Sequence, residues 1–188
     1  MRKLKVFNQV SLDGYFVDGN GGMQWAHNPQ QDEEWDAFVA GNANAGGVMV
    51  FGRITYDLMK NYWPTELAAQ QNPVVARRMN EMTKIVFSRT VDHASWQNTT
   101  FFKSDPAGEI RRMKKESGPD MAILGSGSII SQLTQERLID EYQLVVIPIV
   151  LGAGRTMFDG MSSILHLKCV NTRAFRNGNV LLCYVPVM

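Results

Sequence analysis

Cysteine is scarce in this sequence, and both copies stand near its carboxyl end. Cys169 and Cys183 are the only cysteines among 188 residues, which is too few for the disulfide framework of a secreted mini-protein. They are expected to be reduced thiols of the last strands. The sequence holds no Cys-x-x-Cys pair and no cysteine–histidine cluster, so no metal site is predicted.

A predominant charge and long apolar runs are also missing. Lysine and arginine number 19 against 18 aspartates and glutamates, a formal net charge of +1, which offers no broad surface for nucleic acid or an anionic membrane. No segment approaches the roughly 18 consecutive apolar residues of a membrane span. The opening Met-Arg-Lys-Leu-Lys leads into an alternating pattern rather than a signal peptide. We therefore expect a cytoplasmic protein.

Short apolar segments alternate with amphipathic ones through the middle of the chain, which predicts an α/β fold with a mostly parallel sheet covered on both faces. The segment 142–150 is expected to be a strand at a sheet edge or with a bulge, because it contains Pro148. The last apolar segments, 165–170 and 179–185, have no helix between them and predict an antiparallel pair. Without a visible linker, a single domain over residues 1–188 is expected.

The sequence around Gly52 places a glycine between a buried strand and a helix. A helix that begins there presents unpaired amides and the positive end of its dipole, which suits a phosphate. Arg53 adds a permanent positive charge, and Thr55 either caps the helix or donates to the anion. A plain strand–helix turn with a threonine cap explains the same residues equally well.

A second strand–glycine–helix junction follows Leu124. Its backbone amides could cradle a pyrophosphate, and its residues are Gly125, Ser126, Gly127 and Ser128. The pattern is not the G-x-G-x-x-G of Rossmann domains, because Ile130 stands where the third glycine would be.

Ser88 and Arg89 stand at the end of a third predicted strand. In open α/β sheets, ligands gather at the carboxyl ends of the strands. The two side chains are candidates for recognising the 2′-phosphate that distinguishes NADP from NAD, although an arginine at a strand exit is commonly just solvated. Since all three junctions follow strands of one predicted sheet, they are expected to meet.

Taken together, the Gly-Arg-x-Thr-Tyr, Ser-Arg and Gly-x-Gly strand ends resemble the dihydrofolate reductase superfamily. Leu-Ile-Asp-Glu-Tyr at 138–142, followed by Pro-Ile-Val-Leu-Gly-Ala-Gly-Arg at 148–155 and Phe158, is similar to the C-terminal part of the riboflavin-biosynthesis pyrimidine reductases, as is Ser-Leu-Asp-Gly at 11–14. The resemblance implies a dihydrofolate-reductase-like, three-layer α/β/α fold whose mixed, mostly parallel sheet has an antiparallel C-terminal part.

The resemblance also implies NADPH as the cofactor and assigns the three junctions to it. Gly52, Arg53 and Thr55 would meet the adenosine-side phosphates, and Ser88 and Arg89 would lie near the adenine ribose. The stretch from Gly125 through Ser126 and Gly127 to Ser128 would line the pyrophosphate and nicotinamide end.

The resemblance places the substrate anchor and proton source on the first helix. Dihydrofolate reductases carry a carboxylate there, followed by an apolar residue and, four positions on, by phenylalanine; Glu34 with Trp35 and Phe38 fits this spacing. Helical geometry instead brings Asp32 nearer the centre of the inner face formed by Trp35, Phe38 and Val39. Glu34 and Asp32 are both candidate catalytic residues, and the alternative is an acidic first turn that only favours the helix dipole.

Three further residues are candidates for the substrate side. Asp13 follows the first strand and could approach the pocket, although aspartates that only form turns are common. Trp25 could gate the nicotinamide pocket or belong to the core. Arg155, in the stretch that resembles the glycine-rich exit of the pyrimidine reductases, could bind a phosphate or lie on the surface.

The predicted function is NADPH-dependent hydride transfer to a small heterocycle or a ribosylaminopyrimidine, as in 5-amino-6-(5-phosphoribosylamino)uracil reductase. The alternatives are a dihydrofolate reductase acting on a pterin and an NADP-binding protein without activity. The apolar residues 145–147 and the tail resemble the part of the pyrimidine reductases that pairs two subunits, which implies a homodimer.

Overall fold

In a computed structural model that describes residues 1–27, 30–44 and 47–187, strands and helices alternate as the sequence predicts. The strands are β1 (Leu4–Ser11), β2 (Tyr15–Asp18), β3 (Val48–Gly52), β4 (Thr83–Phe87), β5 (Thr99–Phe102), β6 (Met121–Leu124), β7 (Glu141–Ile147), β8 (Gly154–Thr156), β9 (Leu167–Ala174) and β10 (Val180–Pro186). The α-helices are α1 (Glu33–Asn44), α2 (Arg53–Tyr62), α3 (Glu66–Gln71), α4 (Pro73–Glu81), α5 (Pro106–Lys115) and α6 (Gly127–Gln135). A 3₁₀ turn spans Gln24–Ala26.

Eight of these strands form one mixed sheet in the order β5-β4-β3-β6-β1-β7-β10-β9. The six strands from β5 to β7 in that order run parallel to one another, while β10 is antiparallel to both β7 and β9. The remaining two, β2 and β8, pair as a separate antiparallel ribbon. The predicted mostly parallel sheet with an antiparallel C-terminal part is confirmed.

The side chains of β3 show how the sheet is covered on both faces. Val48 and Val50 point into one core cluster, whereas Met49 and Phe51 point into another. This alternation is what a strand buried on both faces requires. Helices α5 and α6 pack on the first face, and α1, α2 and α4 contribute side chains to the opposite one. The α/β/α layering is therefore confirmed.

The prediction of an edge position or a bulge for 142–150 is wrong, because β7 keeps an unbroken register with both of its neighbours. Strand β7 ends at Ile147 and lies between β1 and β10, inside the sheet. Pro148 follows the last strand residue, so its missing N–H interrupts no ladder hydrogen bond. Val145 and Ile147 are buried within this chain, so packing inside one chain accounts for their apolar character, and the homodimer stays a prediction.

The neighbouring strands β3 and β6 send their helices to opposite faces of the sheet. Tyr56 of α2 joins the core cluster on one face, while Ile130 of α6 joins the cluster on the other. Where two adjacent parallel strands diverge in this way, a crevice opens at their carboxyl ends, and ligands bind in such crevices. The topology therefore fixes where a site can form.

Neither a membrane-spanning helix nor a metal-binding cluster is found among the described residues. No helix there has the length and apolar character that a membrane span needs. No group of histidine, cysteine, aspartate and glutamate side chains stands close enough together there to hold a metal ion.

Candidate functional site

A cleft of about 780 Å³ opens at the carboxyl ends of β3, β4, β5 and β6, and we call it the strand-end cleft. It unites the three junctions that the sequence predicts to meet. The predicted cofactor residues that line it are Gly52, Arg53, Thr55, Ser88, Arg89, Ser126, Gly127 and Ser128. The three junctions therefore form one site.

Two of the junctions are tied together by direct hydrogen bonds. The backbone amide of Gly52 donates to Ser126 Oγ at 2.7 Å, and the amide of Ser126 donates to Thr55 Oγ1 at 2.9 Å. Gly125 has φ +63°, and a Cβ there would lie 2.5 Å from Thr55 Cγ2. Only glycine fits this approach, so Gly125 shapes the cleft from behind instead of lining it.

Asn8, on β1, holds the same junction and was not predicted from the sequence. Its side chain accepts from the amide of Gly125 at 2.6 Å and donates to the carbonyl of Gly125 at 3.1 Å. Asn8 is only 4% exposed, so both hydrogen bonds are sheltered from water. A polar residue among the inward positions of an apolar strand is the one signal that could have drawn attention to it.

The helix N-termini around the cleft differ in capping. The N-cap residues of α2 and α6 are Gly52 and Ser126, and within the described part of the chain neither side chain caps its helix, so the first amides of both helices keep their hydrogen-bonding capacity. Helix α5, at the same cleft, is capped by Asp105, which accepts from the amide of Gly108 at 2.8 Å. An anion is therefore favoured at α2 and α6 and disfavoured at α5.

The charged residues of the cleft are mostly cationic: Arg53, Arg89, Lys103 and Arg155, against Asp105 and Asp159. Arg53 is paired with Asp57 at 3.1 Å, and Lys103 with Asp92 at 3.0 Å. Within the described ranges, Arg89 and Arg155 have no ion-pair partner. Their guanidinium groups keep their full capacity to bind a phosphate.

Ser88 shapes the turn that carries Arg89. The Ser88 side chain is buried, and its Oγ accepts from the amides of Val91 at 2.9 Å and Thr90 at 3.3 Å. This local turn is a common role for a serine at a strand end. Ser88 therefore positions the exposed arginine.

The β2–β8 ribbon forms the other wall of the cleft, with Phe16 from β2 and Arg155 from β8 among its lining residues. Asp13, just before the ribbon, accepts from the amides of Leu151 at 3.2 Å and Gly152 at 2.8 Å. The Ser11 side chain and these two amides hold the pKa of Asp13 below its ordinary value. The structure thus places Asp13 as an anchor of the loop before β8, outside the cleft lining.

The two candidate catalytic carboxylates have partners outside the cleft. Asp32, 6% exposed, accepts from the amides of Glu34 at 3.0 Å, Trp35 at 3.3 Å and Asn177 at 3.0 Å. Burial alone would raise the pKa of Asp32, but the amides of Asn177, Trp35 and Glu34 hold it below its ordinary value. Glu34 Oε1 pairs with Arg173 Nη2 at 2.5 Å. The geometry gives both carboxylates structural partners, and their catalytic role stays a prediction.

Two substitutions separate these roles. Because the folded pKa of Asp32 lies below the unfolded value, its stabilisation is present at neutral pH and is lost as the pH falls through the folded pKa. We expect Asp32→Asn to lower the melting temperature by several degrees and to flatten its acid dependence, while Glu34→Gln melts like the wild type. Thermal melts from pH 3 to 7, run beside turnover assays, check this. A catalytic role would instead appear as a loss of about 10²–10⁴ in kcat with an unchanged melting temperature.

Of the two positions that the sequence leaves open for Trp25, the structure shows the one in the core. Trp25 packs against the core cluster that contains Val145 and Phe175, and its Nε1 donates to the carbonyl of Gly22 at 3.2 Å. Met23, two residues earlier, lines the strand-end cleft. The exit of β5, residues 103–106, also lines it and was missed, although the rule applied to the other strand ends would have found it.

Known proteins resemble this chain over nearly its full length. The uncharacterized protein YyaP of Bacillus subtilis (strain 168) is 30% identical over 175 residues, 93% of this chain and 90% of YyaP. A Shewanella sp. PV-4 structure, whose name proposes a riboflavin biosynthesis protein, matches with TM-score 0.75 and 22% identity over 99% of both chains.

Two further solved structures share the fold. The Thermotoga maritima diaminohydroxyphosphoribosylaminopyrimidine deaminase/5-amino-6-(5-phosphoribosylamino)uracil reductase matches 99% of this chain and 57% of its own, with TM-score 0.70 and 17% identity. Dihydrofolate reductase from Enterococcus faecalis, solved with NADP(H), matches 99% of this chain and 97% of its own, with TM-score 0.65 and 14% identity. The sequence pattern of the RibD C-terminal domain matches residues 2–181, and the chain belongs to that family.

Proposed function

We propose that this protein is an NADPH-dependent reductase that delivers a hydride to a small heterocycle or a ribosylaminopyrimidine. The observation that carries the proposal is the strand-end cleft, where two uncapped helix N-termini and the unpaired Arg89 face one space of about 780 Å³. The named activity of the Thermotoga maritima protein, whose fold this chain shares, supports the choice of acceptor.

The residues of the cleft fit a phosphorylated dinucleotide. The first amides of α2 and α6 suit its phosphates, and Arg89 suits the 2′-phosphate of NADPH by charge-assisted hydrogen bonds. Ile54 and Leu58 of α2 line the same cleft and are 59% and 54% exposed, so they present an apolar surface to a flat base. Arg155 adds a second unpaired cation on the ribbon side.

The protein's part in the reaction is binding and orientation. When bound, the cofactor supplies the hydride. Asn8 fixes Gly125, which in turn allows Thr55 and Ser126 to hold the two phosphate-facing junctions together. The apolar side chains of Phe16 and Met23 line the cleft, and apolar walls beside a bound cofactor would strengthen its electrostatic contacts by lowering the local dielectric constant.

A second candidate is an NADP-binding protein without reductase activity. The engagement of both Asp32 and Glu34 with structural partners favours it, because neither carboxylate is then placed to supply a proton. A dihydrofolate reductase acting on a pterin is the alternative acceptor within the enzyme class.

Titration with NADPH, followed by an assay of NADPH consumption, separates these functions. We expect saturable NADPH binding and consumption with 5-amino-6-(5-phosphoribosylamino)uracil or with an analogue that has the same ring and an unphosphorylated arm. Consumption with dihydrofolate alone would favour the pterin reductase. Binding without consumption of any acceptor would favour the non-catalytic protein, and the absence of NADPH binding would overturn the proposal.

We further propose that residues 1–188 form a single domain and that two copies associate through β9. This strand is one of the two edge strands of the sheet, and seven of its eight residues are exposed. Exposed edges pair readily with a second strand. A solution mass of one chain at micromolar concentration would exclude the homodimer.

A further inference from the structure

A second cavity, of about 370 Å³, lies between the sheet and helices α1, α2 and α4. It adjoins the strand-end cleft, because Met23 lines both spaces and Gly125, which lines the cavity, directly precedes the cleft residue Ser126. A molecule in this cavity would therefore lie next to one in the cleft. We call it the methionine cavity after its six lining methionines: Met23, Met49, Met59, Met79, Met82 and Met121.

The methionine cavity offers little to a phosphate. Its charged lining residues are Lys5 and Asp120, and both are engaged. Lys5 Nζ pairs with Glu141 Oε2 at 3.7 Å, and Asp120 Oδ1 accepts from the amide of Lys3 at 2.7 Å. Four cations line the strand-end cleft, so the two neighbouring spaces differ sharply in charge. A phosphate in the cavity would lose its hydration without gaining an unpaired cation.

Two neutral polar side chains of the cavity, Gln9 and Asn42, are available for recognition, and Gln9 lies nearer the strand-end cleft because it follows Asn8, which holds Gly125. Gln9 of β1 is half-buried and lines the cavity, and its side-chain carboxamide has no hydrogen-bond partner within the described ranges. Two other polar side chains that line the cavity already have hydrogen-bond partners. Asn8 holds Gly125, and Gln143 donates to Glu141 Oε1 at 2.6 Å. A carboxamide presents a donor and an acceptor side by side, so it matches the amide edge of a lactam ring.

We propose that the methionine cavity holds the acceptor of the reaction, that Gln9 pairs with the amide edge of its ring, and that the arm of this acceptor is apolar and unphosphorylated. The proposal rests on the proposed function, since it identifies the substrate class of the same reductase. Methionine side chains are flexible and polarisable, so they adapt to a flat ring and an apolar arm. The acceptor thus departs from the phosphorylated one named for the Thermotoga maritima relative.

Two ligands with the same ring and different arms test the substrate class. We expect 5-amino-6-(benzylamino)uracil to bind at least about tenfold more tightly than 5-amino-6-(5-phosphoribosylamino)uracil, measured by calorimetry on the wild-type protein with and without NADPH. Tighter or equal binding of the phosphorylated ligand would overturn the proposal. A failure of NADPH to bind would remove the proposed function instead, and the measurement without NADPH would still decide the ligand class.

Matched variants of α1 test the location. Ala43 lines the cavity, whereas Ala37 on the same helix is exposed and does not. Ala43→Phe should weaken binding of the benzyl ligand at least about tenfold, while Ala37→Phe and the NADPH affinity of both variants stay near wild type. Gln9→Leu should weaken both ligands alike, and it tests the ring contact should Ala43→Phe not fold. Unchanged binding in Gln9→Leu, or in a folded Ala43→Phe, would overturn the proposal.

Discussion

Gly125→Ala is expected to lower the free energy of unfolding by about 2–4 kcal/mol and to weaken NADPH binding by about 100-fold or more. The backbone at Gly125 has φ +63°, where a Cβ is strained, and that Cβ would meet Thr55 Cγ2 at 2.5 Å. Thr55 cannot retreat without losing its hydrogen bond from the Ser126 amide. The substitution therefore pushes apart the two junctions that face the cofactor.

Gly14→Ala is the matched control for this substitution. Gly14 also has positive φ, +85°, but a Cβ there meets nothing within 4 Å. Gly14→Ala should lose only the free energy that a Cβ costs at positive φ, about 1–2 kcal/mol, and its NADPH affinity should stay unchanged. Denaturant unfolding and NADPH titration of both variants check the difference. If Gly125→Ala were as stable as Gly14→Ala and bound NADPH like the wild type, the interlocked junctions would not form the cofactor site.

Asn8→Ala should cost about 2–4 kcal/mol of stability and at least about tenfold in NADPH affinity. The substitution leaves the amide and the carbonyl of Gly125 without the partners that Asn8 supplies, at a position sheltered from water. An unpaired buried polar group is more damaging than a missing hydrogen bond at the surface. The loop from Gly125 to Ser126 would then lose its fixed orientation.

Asn61→Ala is the control for Asn8→Ala, because Asn61 is exposed on α2 and lines neither the strand-end cleft nor the methionine cavity. It should unfold like the wild type. The measurement is again denaturant unfolding beside NADPH titration. Loss of stability in Asn8→Ala with unaltered NADPH affinity would make Asn8 a core residue without influence on the site.

The sequence predicts the parts of the site that neighbouring residues of the chain form. It misses the parts that depend on contacts between residues far apart in the chain. The end of an apolar strand is a local pattern, so the sequence alone predicts that Gly52, Ser88 and Gly125 stand at strand ends. The hydrogen bonds between Asn8 and Gly125 join residues 117 positions apart, and no local pattern encodes them. The same limit explains why the sequence of α1 could not show that the amide of Asn177 binds Asp32.

The position of β7 was mispredicted for a related reason. Pro148 is a local signal against an internal strand, but the strand ends one residue earlier, and sheet order depends on which distant strands lie beside it. Long-range pairing with β1 and β10 therefore overrode the local signal. The apolar character of Val145 and Ile147 is explained by their packing beneath α1.

The affinity ratio between NADPH and NADH in Arg89→Ala tests the central claim most directly. Arg77→Ala is the control, since Arg77 is exposed on α4, outside the strand-end cleft. If Arg89 binds the 2′-phosphate, Arg89→Ala should weaken NADPH about 10- to 100-fold through the loss of charge-assisted hydrogen bonds. NADH affinity should change by no more than about twofold, and Arg77→Ala should leave both affinities unaltered. Equal weakening of the two cofactors, or no effect on either, would contradict an NADPH site in this cleft.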